Sequence, residues 1–132
     1  MTNSVVLALV AGHGEFAAGL VSAVAQITGR GDRFLAVSNK GQSAEEVERQ
    51  LGEALERTGA RVIFTDLPAG SSTIAARRLQ RERESIVVVT GANLAALLDF
   101  VFHDEANPAA AASRAVERGR ASISVAGVPG VR

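Results

Sequence analysis

His13 stands between two glycines at the end of an apolar segment, in the run Ala11-Gly12-His13-Gly14-Glu15. A neutral imidazole is a nucleophile and a proton acceptor near pH 7, and flanking glycines leave its ring with little steric cover. The helix expected to begin at Phe16 adds backbone N–H groups that attract an anion. The loop therefore predicts a histidine that meets an anionic group, and the alternative is a loop histidine hydrogen-bonded to a neighbour.

A carboxylate and two hydroxyls follow a second apolar segment, where Asp66 precedes Ser71 and Ser72 at the start of another predicted helix. Neighbouring strands of a sheet lie about 5 Å apart, so Asp66 reaches His13 if their strands are adjacent. We therefore predict a His13–Asp66 pair with Gly14, Ser71 and Ser72 around a bound phosphate. The alternative is that Asp66 caps its loop and the serines cap the helix.

A third loop, Thr90-Gly91-Ala92-Asn93, places another helix N-terminus at the same predicted edge, and phosphate is the commonest biological anion for such a setting. The phosphate-binding loop, the dinucleotide fingerprint and the serine nucleophile elbow are all absent from the sequence. Three adjacent residues at a helix end, as in His103-Asp104-Glu105, point in different directions, which disfavours a metal site there.

The elements that position these loops alternate along the chain. Near-continuous apolar runs at residues 4–11, 34–38, 61–66 and 85–90 predict four parallel strands that are covered on both faces. Helices are predicted at 16–28, from a capping box at Ser43 and Glu46, at 72–80, from Asn93 to Phe102, and from Pro108 until Gly119 ends it. We expect the uncharged first helix to be largely buried, and Ile74 to face inward. The fold class is α/β, a doubly wound, mainly parallel sheet with a short fifth strand at 122–125.

Composition excludes several other functions. Lys and Arg (14) balance Asp and Glu (14), which disfavours nucleic-acid binding, and the absence of cysteine excludes disulfide scaffolds and thiolate zinc sites. No Lys or Arg precedes the first apolar run, and charge, glycine or proline interrupts every apolar stretch before a membrane span. We expect one cytoplasmic domain over residues 1–132 without membrane insertion.

The three loops resemble the IIA domains of the mannose class of the bacterial sugar phosphotransferase system. His13-Gly14-Glu15-Phe16-Ala17-Ala18-Gly19-Leu20 is similar to the family segment H-G-x-x-A-x-G-L. The run from Asp66 to Ala76 is similar to D-L-x-G-G-S-P-x-N-x-A, with departures at Ala69, Ser72 and Ile74, and Thr90-Gly91-Ala92-Asn93-Leu94 with Leu97-Leu98 is similar to S/T-G-x-N-L-x-x-L-L.

The resemblance implies that His13 is phosphorylated by the phosphocarrier protein HPr and passes the phosphoryl group to a histidine of a IIB partner. Asp66 matches the family aspartate that pairs with that histidine. It also implies a homodimer in which a C-terminal strand is exchanged, for which residues 122–125 are the candidate. No metal or other cofactor is expected.

Two other functions stay open at this point. A regulatory IIA protein would be phosphorylated at His13 but would signal its phosphorylation state to an effector. A non-enzymatic module would use His13 only to bind a phosphorylated metabolite. The identity of the sugar does not follow from the sequence, since by this resemblance a IIA domain does not contact it.

Overall fold

The computed structural model describes residues 5–103 and 105–127. Its elements in chain order are β1 (Ala8–Gly12), α1 (Phe16–Thr28), a short 3₁₀ turn (Gly31–Arg33), β2 (Phe34–Ser38), α2 (Ala44–Thr58), β3 (Val62–Thr65), α3 (Ser71–Glu82), β4 (Val87–Val89), α4 (Leu94–Phe102) and α5 (Pro108–Ala121). Strands and helices alternate as far as α4, which confirms the predicted α/β class.

The four strands form one parallel sheet in the order β2-β1-β3-β4. In this register Ala8 of β1 lies opposite Phe34 of β2 on one side and Val62 of β3 on the other. The strands overlap the predicted segments: β2 matches its prediction, β1 begins at Ala8 rather than at residue 4 and extends to Gly12, and β3 and β4 are shorter than predicted at both ends. Because β1 and β3 are neighbours, the loops that carry His13 and Asp66 leave the same edge side by side.

Both faces of the sheet are covered, which explains why the strands are apolar without alternation. On one face α1, α4 and α5 pack over a core in which the rings of Phe34, Phe64 and Phe100 meet edge to face or tilted, with centroids 5.2–6.3 Å apart. On the other face α2 and α3 cover Leu9 and Ile63. The sheet edge that carries His13 and Asp66 is therefore supported by a buried core on each face of the sheet.

Predicted caps are present at two helices. At α2 the Ser43 hydroxyl accepts from the Glu46 N–H (3.2 Å) while the Glu46 carboxylate accepts from the Ser43 N–H (2.8 Å). These Ser43 hydrogen bonds hold the pKa of Glu46 below its ordinary value. At α4 the Asn93 side chain accepts from the Ala96 N–H at 3.0 Å. Both helix starts follow from local sequence.

Three expectations about the helices are wrong. Helix α1 is not largely buried: only Ala17 and Val24 are, because it packs against the sheet through one stripe and leaves Ile27 more than half exposed. Ile74 is exposed, since α3 turns Ala75, Ala76 and Leu79 inward instead. Gly119 does not end α5 but lies buried within it.

Gly119 is required by close packing between α4 and α5. A methyl group added there would lie 2.9 Å from Asn93 Oδ1 and 3.0 Å from the Ala96 side chain. The Asn93 amide donates to the Gly119 carbonyl at 2.9 Å and to the Ser122 hydroxyl at 3.3 Å. Glycine is used here for helix contact rather than for helix termination.

The fifth strand predicted at 122–125 does not form in the single chain. Ser122 is a turn that closes α5, and Ile123 to Val125 make no sheet pairing. Ile123 is 72% exposed and Val125 57%, so these side chains find no cover within the described residues. Exchange of this segment with a second subunit stays a prediction. Within the described part of the chain, no helix combines the length and apolar character of a membrane span.

Candidate functional site

The structure brings His13 and Asp66 together at the carboxyl edge of the sheet. Asp66 Oδ2 lies 2.7 Å from His13 Nδ1 and also accepts the His13 backbone N–H at 2.8 Å. The His13 side chain is 56% exposed and that of Asp66 only 10%. The carboxylate therefore holds both the backbone and the ring of a histidine whose other nitrogen, Nε2, is left for an incoming group.

The contacts of Asp66 favour its ionised form. Its partial burial opposes ionisation, but the His13 backbone N–H and ring outweigh that effect and hold the pKa of Asp66 below its ordinary value. Its second oxygen, Oδ1, is buried and has no hydrogen-bond partner among the described residues. An ionised Asp66 accepts the hydrogen bond that a protonated Nδ1 donates, which selects the tautomer whose Nε2 is free.

Three glycines surround the pair. A methyl group on Gly12 would lie 2.7 Å from the Phe16 ring and 2.9 Å from Asp66 Oδ2, so the carboxylate fits only because that position has no side chain. Gly70, with φ +116°, brings the backbone at the start of α3 close to the ring, since its own Cβ would lie 3.2 Å from His13 Cε1 and 3.8 Å from Nε2. Gly14 has φ +51° and open space where its Cβ would be.

The predicted phosphate ligands Ser71 and Ser72 lie at the start of α3, but Gly70 and not a serine precedes the helix as its N-cap. The Ser72 hydroxyl is fully buried and accepts from Asn39 Nδ2 at 3.0 Å, and Ser71 accepts from the same amide at 3.0 Å. The burial of the Ser72 hydroxyl does not fit a direct phosphate contact. Its backbone N–H belongs to the first turn of α3, where helices leave such groups without an internal acceptor.

Asn39 is a structural residue of the site that the sequence analysis missed. It follows β2, is 6% exposed, and its backbone N–H donates to the Gly12 carbonyl at 3.3 Å while its amide holds both serines. It thereby connects the His13 loop with the start of α3. In the sequence, an asparagine after a strand looks like an ordinary turn residue. The one signal is Ser72, which departs from the family segment and adds a hydroxyl that needs a hydrogen-bond partner when it is buried.

A second buried network fixes the loop that carries Asp66. The Thr73 hydroxyl contacts Thr65 Oγ1 at 2.8 Å and donates to the Leu67 carbonyl at 2.5 Å. The Ala92 N–H donates to the Thr65 carbonyl at 2.9 Å. These bonds tie the end of β3 to α3 and to the next loop, so Asp66 is held from both sides.

Not every predicted anion-binding group is available. The Phe16 N–H that opens α1 donates to the His13 carbonyl at 3.0 Å, and the Asn93 amide binds α5. His103 contacts the buried Asp99 carboxylate at 3.2 Å, at the far end of α4 from this edge. Among the described residues, no three His, Cys, Asp or Glu side chains are grouped to hold a metal ion. The start of α3 adjoins the His13 ring through Gly70.

Comparison with known proteins identifies a family whose sequence model matches this chain. A family model described as "PTS system fructose IIA component" matches residues 8–117. This range includes both His13 and Asp66 and all four strands. No curated protein matches the sequence significantly.

Several solved structures share the fold. The mannose/sorbose-specific IIA subunit from Enterococcus faecalis has a TM-score of 0.85 at 17% identity, over 98% of this chain and 100% of that one. Component EIIA from Streptococcus agalactiae has 0.82 at 20% identity, over 89% and 94%. A PTS IIA protein associated with the fucose utilization operon of Streptococcus pneumoniae has 0.77 at 23% identity, over 93% and 94%.

Proposed function

Because the chain belongs to the mannose-class IIA family of the sugar phosphotransferase system, we propose that it is a phosphoryl carrier that uses His13. In this proposal His13 accepts the phosphoryl group from HPr and passes it to a histidine of a IIB partner. The observation that carries the proposal is the 2.7 Å contact between His13 Nδ1 and Asp66 Oδ2, beside an exposed ring.

The transfer step follows from the tautomer. The Nε2 lone pair of His13 attacks the phosphorus of the phosphohistidine on HPr, a new N–P bond forms, and the N–P electron pair of the donor returns to the donor ring. The proton on Nδ1 stays on His13, in the hydrogen bond to Asp66. As positive charge grows on the ring, the ionised carboxylate stabilises it, as a buried orienting carboxylate does in other histidine sites.

The start of α3 supplies the second part of the site. Phosphoryl transfer depends mainly on positioning and on stabilising the charge of the equatorial oxygens. The close approach of Gly70 to the ring places the first turn of α3 beside Nε2. We assign the phosphoryl oxygens to the backbone N–H groups of Ser71 and Ser72, with the partly exposed Ser71 hydroxyl within reach, and Gly14 on the open side of the ring.

Incubation of the full chain with phosphoenolpyruvate, enzyme I and HPr tests this proposal. Intact-mass measurement should show one added phosphoryl group, stable at alkaline pH and lost in acid. His13→Ala should abolish the label, while His103→Ala, which alters the other histidine of the chain, should keep it. A chain that stays unlabelled with an active HPr, or a label that survives in His13→Ala, contradicts the proposal.

A further inference from the structure

A cleft of about 590 Å³ opens at the amino ends of the strands, on the opposite edge of the sheet from His13. Leu7, Phe100, Val101 and Phe102 give it an apolar wall. Strand β1 runs five residues between the two edges, about 16 Å at the usual rise per residue. The cleft is therefore separate from the proposed phosphoryl site.

Two arginines flank this cleft at matching positions of the sheet. Arg33 directly precedes β2 and Arg61 directly precedes β3, and the register places both strands level on either side of β1. The Leu7 N–H donates to the Arg33 carbonyl at 2.7 Å, which extends this register to the cleft. Two strand spacings separate the two arginine backbones by about 10 Å. Side chains of this length can contact one group bound between them.

A third arginine contacts the apolar wall. Arg30 Nη1 lies 3.5 Å from the Val101 carbonyl, and its guanidinium carbon is 6.0 Å from the centre of the Phe102 ring. A guanidinium over an aromatic face is held by a favourable cation–π contact. The Arg30 side chain therefore loses less conformational entropy when it binds a ligand.

The described residues that line the cleft carry more positive than negative charge. They include three arginines, Arg30, Arg33 and Arg61, and one carboxylate, Glu105. The Glu105 carboxylate pairs with Arg114 at 3.6 Å. This part of the lining therefore combines an excess of guanidinium groups with an apolar wall.

We propose that this cleft binds a small organic phosphate, a phosphate monoester joined to a compact apolar or ring-shaped body. Guanidinium groups bind phosphate through paired N–H donors. A phosphate monoester carries about −1.5 to −2 charge at pH 7, so it matches the charge of three arginines better than a ligand with a single carboxylate would. The body of the ligand would lie on Leu7 and Phe102. This site is independent of the phosphoryl transfer proposed for His13.

Titration of the isotope-labelled full chain with phenyl phosphate, followed by amide and arginine side-chain NMR signals, tests the site. Signals of Leu7, Arg33, Arg61 and Phe102 should shift, and these shifts should persist in His13→Ala. Arg33→Gln combined with Arg61→Gln should weaken binding about tenfold or more, equivalent to about 1.4 kcal/mol. The matched control, Arg77→Gln with Arg81→Gln, removes the same charge from exposed positions on α3 and should change affinity by less than about twofold.

Three results would overturn the proposal: no shifts at the cleft, equal weakening by both double variants, or inorganic phosphate binding as tightly as phenyl phosphate. The last would show that the apolar wall does not take part. His13→Ala should bind phenyl phosphate with unchanged affinity. This result separates the cleft from the phosphoryl site, so that either proposal can fail without the other.

Discussion

Asp66→Asn is the substitution that tests the proposed tautomer control most sharply. It keeps the size of the side chain and removes the charge that His13 Nδ1 meets at 2.7 Å. The asparagine oxygen can replace Oδ2 as acceptor, but then its NH₂ group occupies the position of the buried Oδ1, which has no hydrogen-bond partner in the described part of the chain. In the flipped orientation the NH₂ faces the His13 backbone N–H, donor against donor.

The magnitude follows from what the hydrogen bond contributes in the transition state. A hydrogen bond to a charged group is worth about 1.5–3 kcal/mol, and only the part that strengthens as the ring becomes positive affects the rate. At about 1.4 kcal/mol per factor of ten, the whole contribution corresponds to about tenfold to 10²-fold, so the phosphorylation rate should fall by up to about 10²-fold. Selection of the wrong tautomer in the flipped orientation would extend the loss to about 10³-fold.

The assay is single-turnover phosphorylation of the chain by phosphorylated HPr, with ring-nitrogen NMR of His13 to identify the tautomer. Glu15→Gln is the matched control: it removes a carboxylate from the same loop, where Glu15 is 80% exposed and pairs with Lys40 at 3.6 Å. Glu15→Gln should change the HPr concentration that gives half-maximal phosphorylation more than it changes the maximal phosphorylation rate. An unchanged rate and tautomer in Asp66→Asn, or an equal loss of maximal rate in Glu15→Gln, would refute the reasoning.

Four further predictions follow from the contacts of the site and of the C-terminal segment. Gly12→Ala should destabilise the fold by about 1–3 kcal/mol in urea unfolding and slow phosphorylation, since its methyl group would lie 2.9 Å from Asp66 Oδ2. Gly19→Ala is the control and should change neither quantity, because the space around Gly19 is open. Asn39→Ala should cost about 1–3 kcal/mol of unfolding free energy and lower the phosphorylation rate, whereas Asn107→Ala, which removes the cap of the distant α5, should lower stability alone. Folding lowers the pKa of Asp66, so the ionised carboxylate stabilises the fold fully above its unfolded-state pKa and loses this effect as pH falls through its folded-state pKa. The difference in unfolding free energy between the protein and Asp66→Asn should therefore shrink below about pH 4. A chain that ends at Ser122 should sediment as a monomer where the full chain sediments as a dimer, because it lacks the exposed Ile123 and Val125; identical sedimentation of the two chains would contradict the proposed strand exchange.

Much of the site could be predicted because its parts are local. Apolar runs place the strands, and residues directly after a parallel strand lie at its carboxyl edge, which is sufficient to bring the loops of His13 and Asp66 to one rim. Their contact required β1 and β3 to be neighbours, which the sequence left conditional and the strand order provides. The capping residues Ser43 and Asn93 were predictable for the same reason, since a cap depends on three or four residues in sequence.

The remainder depends on contacts between distant segments. Asn39 meets Ser72 across 33 residues, and Gly119 meets Asn93 across 26, so neither role is visible in a local pattern. The exposure of α1 and of Ile74 depends on how far each helix rotates on the sheet. In the arginine cleft the strand register aligns Arg33 with Arg61, and contacts with Val101 and Phe102 on α4 place Arg30, so a local pattern does not show the cluster.

Phosphorus–nitrogen NMR coupling in the phosphorylated chain, with nitrogen-15 in its histidine rings, tests the central claim most directly. The account predicts one phosphoryl group on Nε2 of His13, with Nδ1 still protonated and hydrogen-bonded to Asp66. Coupling to Nδ1 of His13, or to either ring nitrogen of His103, would contradict it.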